Sequence, residues 1–144
     1  MKHRIKRPSK EEALRVKLLT KRAYAYPYKV GGAITKPKEP EWETGRTLAA
    51  YFGTRMVGAI RYQIRGKELY FYRLAVLKRW RCRGIGSALI ASAECKAEEA
   101  GCRQVSLFCL MAKKLPAFYA KMGYKTVKKA KMGRFHGVFM KKAV

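Results

Sequence analysis

The sequence predicts an α/β (α+β) fold, and three observations carry that expectation. Three apolar runs of strand composition follow one another with tight turns between them. A strand, a basic loop and two glycines then lead into a helix. Helical periodicity stands on either side of this central block. At 144 residues the chain reads as a single domain, residues 1–144, long enough to bury a core.

Each element has a local reason. His3 to Arg7 suits a short first strand. Pro8 precedes Ser9-Lys10-Glu11-Glu12, which has capping-box spacing. A helix is expected from Ser9 to Tyr26, with Ala13, Val16, Leu19 and Ala23 on one face, and Pro27 stops it. Residues 28–45 hold Gly31, Gly32, Pro37 and Pro40 without clean periodicity, and read as a loop with at most one short helix. Thr47 to Phe52 and Met56 to Ile64 are β-runs joined by Gly53-Thr54-Arg55. Arg65-Gly66-Lys67 turns the chain into Glu68 to Val76, completing an antiparallel meander.

A helix follows from Ile85 to Ala100 and ends at Gly101. Its small residues Ala88, Ala91, Ala93 and Ala97 allow close packing on a sheet. Gln104 to Met111 is a strand. Lys114 to Met122 is a short helix that tolerates Pro116 in its first turn. Two strands, 124–130 and 136–142, close the chain.

The charge is extreme. Lys and Arg number 34 against 9 glutamates, with no aspartate, for a net +25, and the last acid is Glu99. Such a field repels cationic acceptors such as polyamines and draws in anionic partners. Weak, salt-sensitive association with nucleic acid or the ribosome fits the same charge. His3 and His136 lack triad-type acidic partners, and without aspartate a Ser-His-Asp hydrolase is excluded. No apolar run spans a bilayer and no signal-peptide pattern opens the chain, so a cytoplasmic protein without a membrane partner is expected. Cys82, Cys95, Cys102 and Cys109 form no C-x-x-C pair; reduced thiols and no metal are expected. Cys95 and Cys102 are expected to pack near a helix end, Cys109 in a strand. Cys82 lies among arginines that favour its thiolate, which marks it for oxidation.

The run from Leu74 to Leu89 is the most informative. An apolar strand ends at Val76, the loop carries Lys78, Arg79, Arg81 and Arg83, and Gly84 and Gly86 open the helix. Free amides, a helix dipole and arginines converge there, so the ligand carries phosphate. Arg81-x-x-Gly84-x-Gly86 resembles the acetyl-CoA signature of the GNAT superfamily of N-acetyltransferases: Arg or Gln, two variable residues, Gly, one variable residue, then Gly or Ala. Phe118-Tyr119-x-x-x-Gly123-Tyr124 is similar to the F-Y-x-x-x-G-F/Y segment after the family's fifth strand. The resemblance implies the GNAT fold: a central mixed, mostly antiparallel sheet of six to seven strands flanked by about four helices.

It also implies an activity, direct acetyl transfer from acetyl-CoA to a primary amine. Leu74, Ala75 and Val76 would pair with the pantetheine arm where the strands splay beyond Val76. The amides of Arg81, Cys82, Arg83, Gly84, Ile85, Gly86 and Ser87 would hold the pyrophosphate, and the Val76 N–H would polarise the thioester carbonyl. Tyr119 matches the family's general acid. Glu68 is the candidate general base, on the alternating face with Tyr70, Tyr72, Leu74 and Val76 but at the strand's beginning; a water chain is the other route for the proton. Arg73 points to the opposite face, toward a glutamate or an anionic acceptor. Tyr26, Tyr28 and Trp42 fall where the family's acceptor site is covered. Ala112 stands where many relatives have an asparagine that helps hold the pantetheine. The net charge leads to the expectation of an amine-bearing acceptor that is itself acidic or part of a larger anionic partner, and a monomer or homodimer is expected. The alternative is a non-catalytic module that binds coenzyme A, nucleic acid or the ribosome through its basic surface.

Overall fold

The computed structural model describes residues 4–25, 46–111, 115–132 and 135–144. Among them lie seven strands and three α-helices: β1 (Arg4–Lys6), α1 (Ala13–Ala25), β2 (Thr47–Phe52), β3 (Arg55–Arg65), β4 (Glu68–Val76), α2 (Ile85–Glu99), β5 (Gln104–Leu110), α3 (Leu115–Lys121), β6 (Lys125–Met132) and β7 (Phe135–Ala143). Single 3₁₀ turns occupy Lys10–Glu12 and Lys78–Trp80. The helix count is three among the described residues, not about four. Ser9 to Glu12 winds as a 3₁₀ turn before α1, and residues 28–45, read as a loop with at most one short helix, lie outside the described residues.

The sheet order is β1-β2-β3-β4-β5-β7-β6. β4 and β5 pair in parallel, with α2 as their crossover, while β1–β2, β2–β3, β5–β7 and β6–β7 are antiparallel. The chain forms two compact units, Met1–Tyr62 with Arg73–Ala93, and Gln63–Tyr72 with Glu94–Val144.

In the first unit, Val16 and Leu19 of α1 pack on Ala49, Tyr51, Met56, Ala59 and Ala75, with Leu77 at the margin. Ile85, Leu89, Ile90 and Ala93 of α2 are buried as well. Gly58 lets α2 come close: a Cβ there would lie 3.2 Å from Ile85, Leu89 and the Ala75 carbonyl. The capping-box residues brace the start of α1. Ser9 N–H and Oγ both donate to Glu12 Oε1 at 3.1 Å, and Tyr51 Oη donates to Glu12 Oε2 at 2.7 Å.

The Ser9 amide and then the Tyr51 hydroxyl hold the Glu12 carboxyl below the usual range. A carboxyl lowered by folding stabilises above its unfolded pKa, and that support fades as pH falls through the folded value. Glu12→Gln is therefore expected to melt below the parent at pH 7, the gap closing as pH drops under about 4.3. Melting curves across that range check it; a constant gap would mean that Glu12 acts through packing alone.

In the second unit, β5 pairs with β7 from Gln104↔Ala143 to Leu110↔Gly137, and β6 lies beyond β7 as the outer strand. Phe71, Tyr119 and Tyr124 meet on one face, with centroid separations of 5.9–6.2 Å. Tyr124 Oη donates to Glu94 Oε2 at 2.7 Å, and Lys142 Nζ reaches the same oxygen at 3.1 Å. Burial first, and then this bond, push the Tyr124 hydroxyl pKa far up. α2 ends with Gly101 at φ +76°, a left-handed close that returns the Cys102 N–H to the Ala97 carbonyl at 2.8 Å. Cys102 and Cys109 are buried, but Cys95 is exposed rather than packed.

Candidate functional site

The site is built from the end of β4, the following loop and the first turn of α2, all in the first unit. β4 and β5 pair only through Glu68↔Gln104, Leu69↔Val105 and Tyr70↔Ser106, although both strands run further. At Arg73 the β4 backbone enters the left-handed region, φ +52°. This turn stands three residues before the strand's end. A left-handed non-glycine residue costs on the order of 1–2 kcal/mol, strain that native structures keep mainly at functional positions.

Beyond Val76 the loop is fastened at three points. Leu77 N–H donates to the Val57 carbonyl at 2.9 Å. Arg81 Nε donates to the Val76 carbonyl at 2.9 Å, tying the first signature residue back to the strand end. Trp80 packs on Phe52 with ring centroids 4.6 Å apart, and the Arg83 guanidinium lies 5.3 Å from the Trp80 ring. Sequence reasoning missed Trp80; its signal was a large aromatic ring inside an otherwise basic loop.

Cys82 and Gly84 are left-handed, φ +61° and +81°, and Arg83 between them is not. Such alternation turns successive N–H groups toward one point, the geometry of an anion nest. A Cβ at Gly84 would meet nothing within 4 Å, so glycine is needed there for its backbone angle and not for room inside the protein. The first bond of α2 runs from Ala88 N–H to the Gly84 carbonyl at 3.0 Å. The amides of Ile85, Gly86 and Ser87 come before that bond, with no helical carbonyl a turn behind them. They lie at the positive end of a 15-residue helix, directly after the left-handed pair. Lys78, Arg79, Cys82 and Arg83 are exposed around them.

Tyr119 and Glu68 lie in the second unit. Tyr119 is 9% exposed, its ring held by Phe71, Phe118 and Tyr124. Burial raises the Glu68 carboxyl, but hydrogen bonds from Ser106, Lys141 and Gln104 outweigh it, and the group sits below the usual range. Ser106 Oγ donates at 2.7 Å and Lys141 Nζ stands at 3.0 Å. A carboxylate so engaged is a weak proton acceptor. His136 is exposed on β7. His3, Tyr26, Tyr28, Trp42 and Ala112 lie outside the described residues. Among the described residues there is no group of three His, Cys, Asp or Glu able to hold a metal, and no helix long and apolar enough to cross a membrane.

The model of the acetyltransferase (GNAT) domain matches residues 43–126, a stretch that contains the nest and Tyr119. The chain belongs to the GNAT acetyltransferase family. Solved GNAT structures share its fold. The PaiA N-acetyltransferase of Thermoplasma acidophilum, solved with coenzyme A, superposes with a TM-score of 0.81 at 16% identity over all of both chains. Ard1 of Thermoplasma volcanium gives 0.80 at 19% identity, over 100% of this chain and 99% of that one. The ribosomal-protein-alanine N-acetyltransferase of Brucella melitensis gives 0.78 at 17% identity, over 98% of this chain and 99% of that one. No curated protein matches this GNAT chain in sequence.

Proposed function

We propose that this GNAT protein transfers an acetyl group directly from acetyl-CoA to a primary amine, without an acyl-enzyme. The observation that carries the reading is the pair of left-handed residues Cys82 and Gly84 leading directly into the first-turn amides of Ile85–Ser87, which precede the first helical bond. Main-chain donors suit a diphosphate, and the exposed Lys78, Arg79 and Arg83 suit its charge. Acetyl-CoA supplies the activated acyl group as a thioester. In this reading Leu74, Ala75 and Val76 hold the pantetheine arm, and the Val76 N–H polarises the thioester carbonyl.

Tyr119 is assigned as the acid that gives its hydroxyl proton to the departing sulfur, because it matches the family motif and its ring is fixed on three sides. Glu68 is assigned a structural role, joining β4 to Gln104 and Ser106 of β5 and to Lys141 of β7. The ammonium proton of the acceptor then leaves through water. The acceptor is a primary amine on an acidic or anionic partner, which the +25 charge would attract. The named acceptors of the structural neighbours differ, a ribosomal-protein alanine in one and an aminoglycoside in another, and none transfers to this chain by fold alone.

Calorimetric titration with acetyl-CoA, followed by thiol release with a panel of amines, tests the reading. Gly84→Ala forces a Cβ onto φ +81° and should weaken acetyl-CoA binding about fivefold, as the strain of about 1 kcal/mol is relieved by turning the nest amides away. Undiminished binding in that variant would reject the nest as the phosphate site. Binding without thiol release would leave a coenzyme A-binding module.

A further inference from the structure

The second unit's sheet has two unlike faces. Phe71, Tyr119, Tyr124, Glu94 and Lys142 meet on one. Strand register puts a different set on the other. Phe108 of β5 stands opposite Phe139 of β7, with ring centroids 5.1 Å apart, and both rings are half-buried. Gly137 on the same face makes room for the first ring, since a Cβ there would come within 2.4 Å of Phe108 Cζ. The Phe108 ring therefore lies across the sheet instead of standing away from it.

The outer strand supplies charge to this face. β6 slips register between Thr126 and Lys128, so that Lys125 pairs with Lys141 and Lys128 with Phe139. Those partners are two residues apart on β7 and share a face. The slip thereby places Lys125 and Lys128 together beside the rings, though they are three apart in sequence. Both are exposed, and Lys128 Nζ rests 5.2 Å from the Phe139 ring centroid. Among the described residues, the carboxylate that this register brings to the face is Glu68, already held by Gln104, Ser106 and Lys141.

Paired rings lying in a sheet, with lysines beside them and the nearby acid neutralised, meet two needs at once. Rings stack unpaired bases, and lysines meet the phosphates between them. An acidic peptide would use the charge and leave the rings idle; a duplex keeps its bases out of reach. We propose that this face binds single-stranded nucleic acid, with bases on Phe108 and Phe139 and phosphates on Lys125 and Lys128. The proposal does not depend on acetyl transfer.

Fluorescence anisotropy with a short labelled oligouridylate tests it, against an RNA duplex of equal length and a polyglutamate competitor. The single strand should bind about tenfold more tightly than the duplex, and Phe139→Leu should remove about that factor. Phe139→Tyr, which keeps a stacking ring, should restore it. The double variant Lys125→Gln, Lys128→Gln should make the salt dependence shallower by about 1.4 in log–log slope, two phosphates' worth. Melting curves establish that each variant is folded. Equal affinity for duplex, indifference to Phe139→Leu in a folded protein, or equal competition by polyglutamate would overturn the proposal. So would displacement by saturating coenzyme A, which would put the strand in the phosphate nest. Calorimetry with acetyl-CoA on the same variants should be unchanged, so failure of this site and failure of the acetyl-transfer reading are told apart.

Discussion

Gly137→Ala is expected to cost about 3 kcal/mol of stability, lowering the melting temperature by roughly 10 °C. The added Cβ would stand 2.4 Å from Phe108 Cζ and 2.6 Å from the Cys109 carbonyl oxygen. A ring can turn aside at moderate cost. The carbonyl cannot, because Cys109↔Val138 and Leu110↔Gly137 are consecutive pairs of the β5–β7 ladder. The two strands would have to part locally, in a protein whose whole stability is on the order of 5–15 kcal/mol. Gly66→Ala is the comparison. That glycine has φ +59° with nothing within 4 Å of a Cβ, so backbone strain of about 1 kcal/mol is its whole penalty. Thermal melts of both variants should rank them in this order. Equal losses would mean that the β5–β7 ladder yields more easily than its register suggests.

Local chemistry explains which parts of this fold were legible in the sequence. β2 and β4 begin and end where the β-runs do, because turn residues flank them and one turn carries a left-handed glycine at each hairpin, Gly53 and Gly66. α2 starts at Ile85, straight after Gly84, and closes before Gly101 for the same reason. The start of α1 was harder. A capping box marks where a helix begins but not how tightly its first turn winds, and Ser9 to Glu12 wound as 3₁₀. The last two strands run longer than their apolar patterns, to Met132 and from Phe135, since they extend each other through pairing that no local signal records.

The site divides along the same line. The glycine spacing and the basic loop could be read directly, because they depend on backbone freedom and charge. The left-handed turns at Arg73 and Cys82 could not, as neither residue type favours that conformation. The Arg81 tether to Val76, the Trp80–Phe52 contact and the engagement of Glu68 join residues distant in the fold or depend on side-chain direction. Arg61, wholly buried in β3, is another such case: composition places arginine at the surface, and only tertiary context puts it inside.

Tyr119→Phe carries the largest expected effect on turnover. If the hydroxyl delivers the proton to the departing sulfur, its loss should lower kcat by about 100-fold or more, with KM for acetyl-CoA little changed. Magnitude separates this from a structural role. A factor of 100 in rate is about 2.7 kcal/mol, whereas a hydroxyl that only satisfies a buried partner is worth about 1 kcal/mol and acts on stability. The ring would remain, still packed on Phe71, Phe118 and Tyr124, so a catalytic hydroxyl predicts a near-parental melting temperature beside a collapsed rate. A structural hydroxyl predicts the reverse, a melt lowered by a few degrees and full turnover. Tyr124→Phe is the control, since its hydroxyl is already committed to Glu94 at 2.7 Å and should matter for stability rather than for rate. Equal rate losses in the two variants would assign the effect to packing of the aromatic cluster and remove Tyr119 from the chemistry.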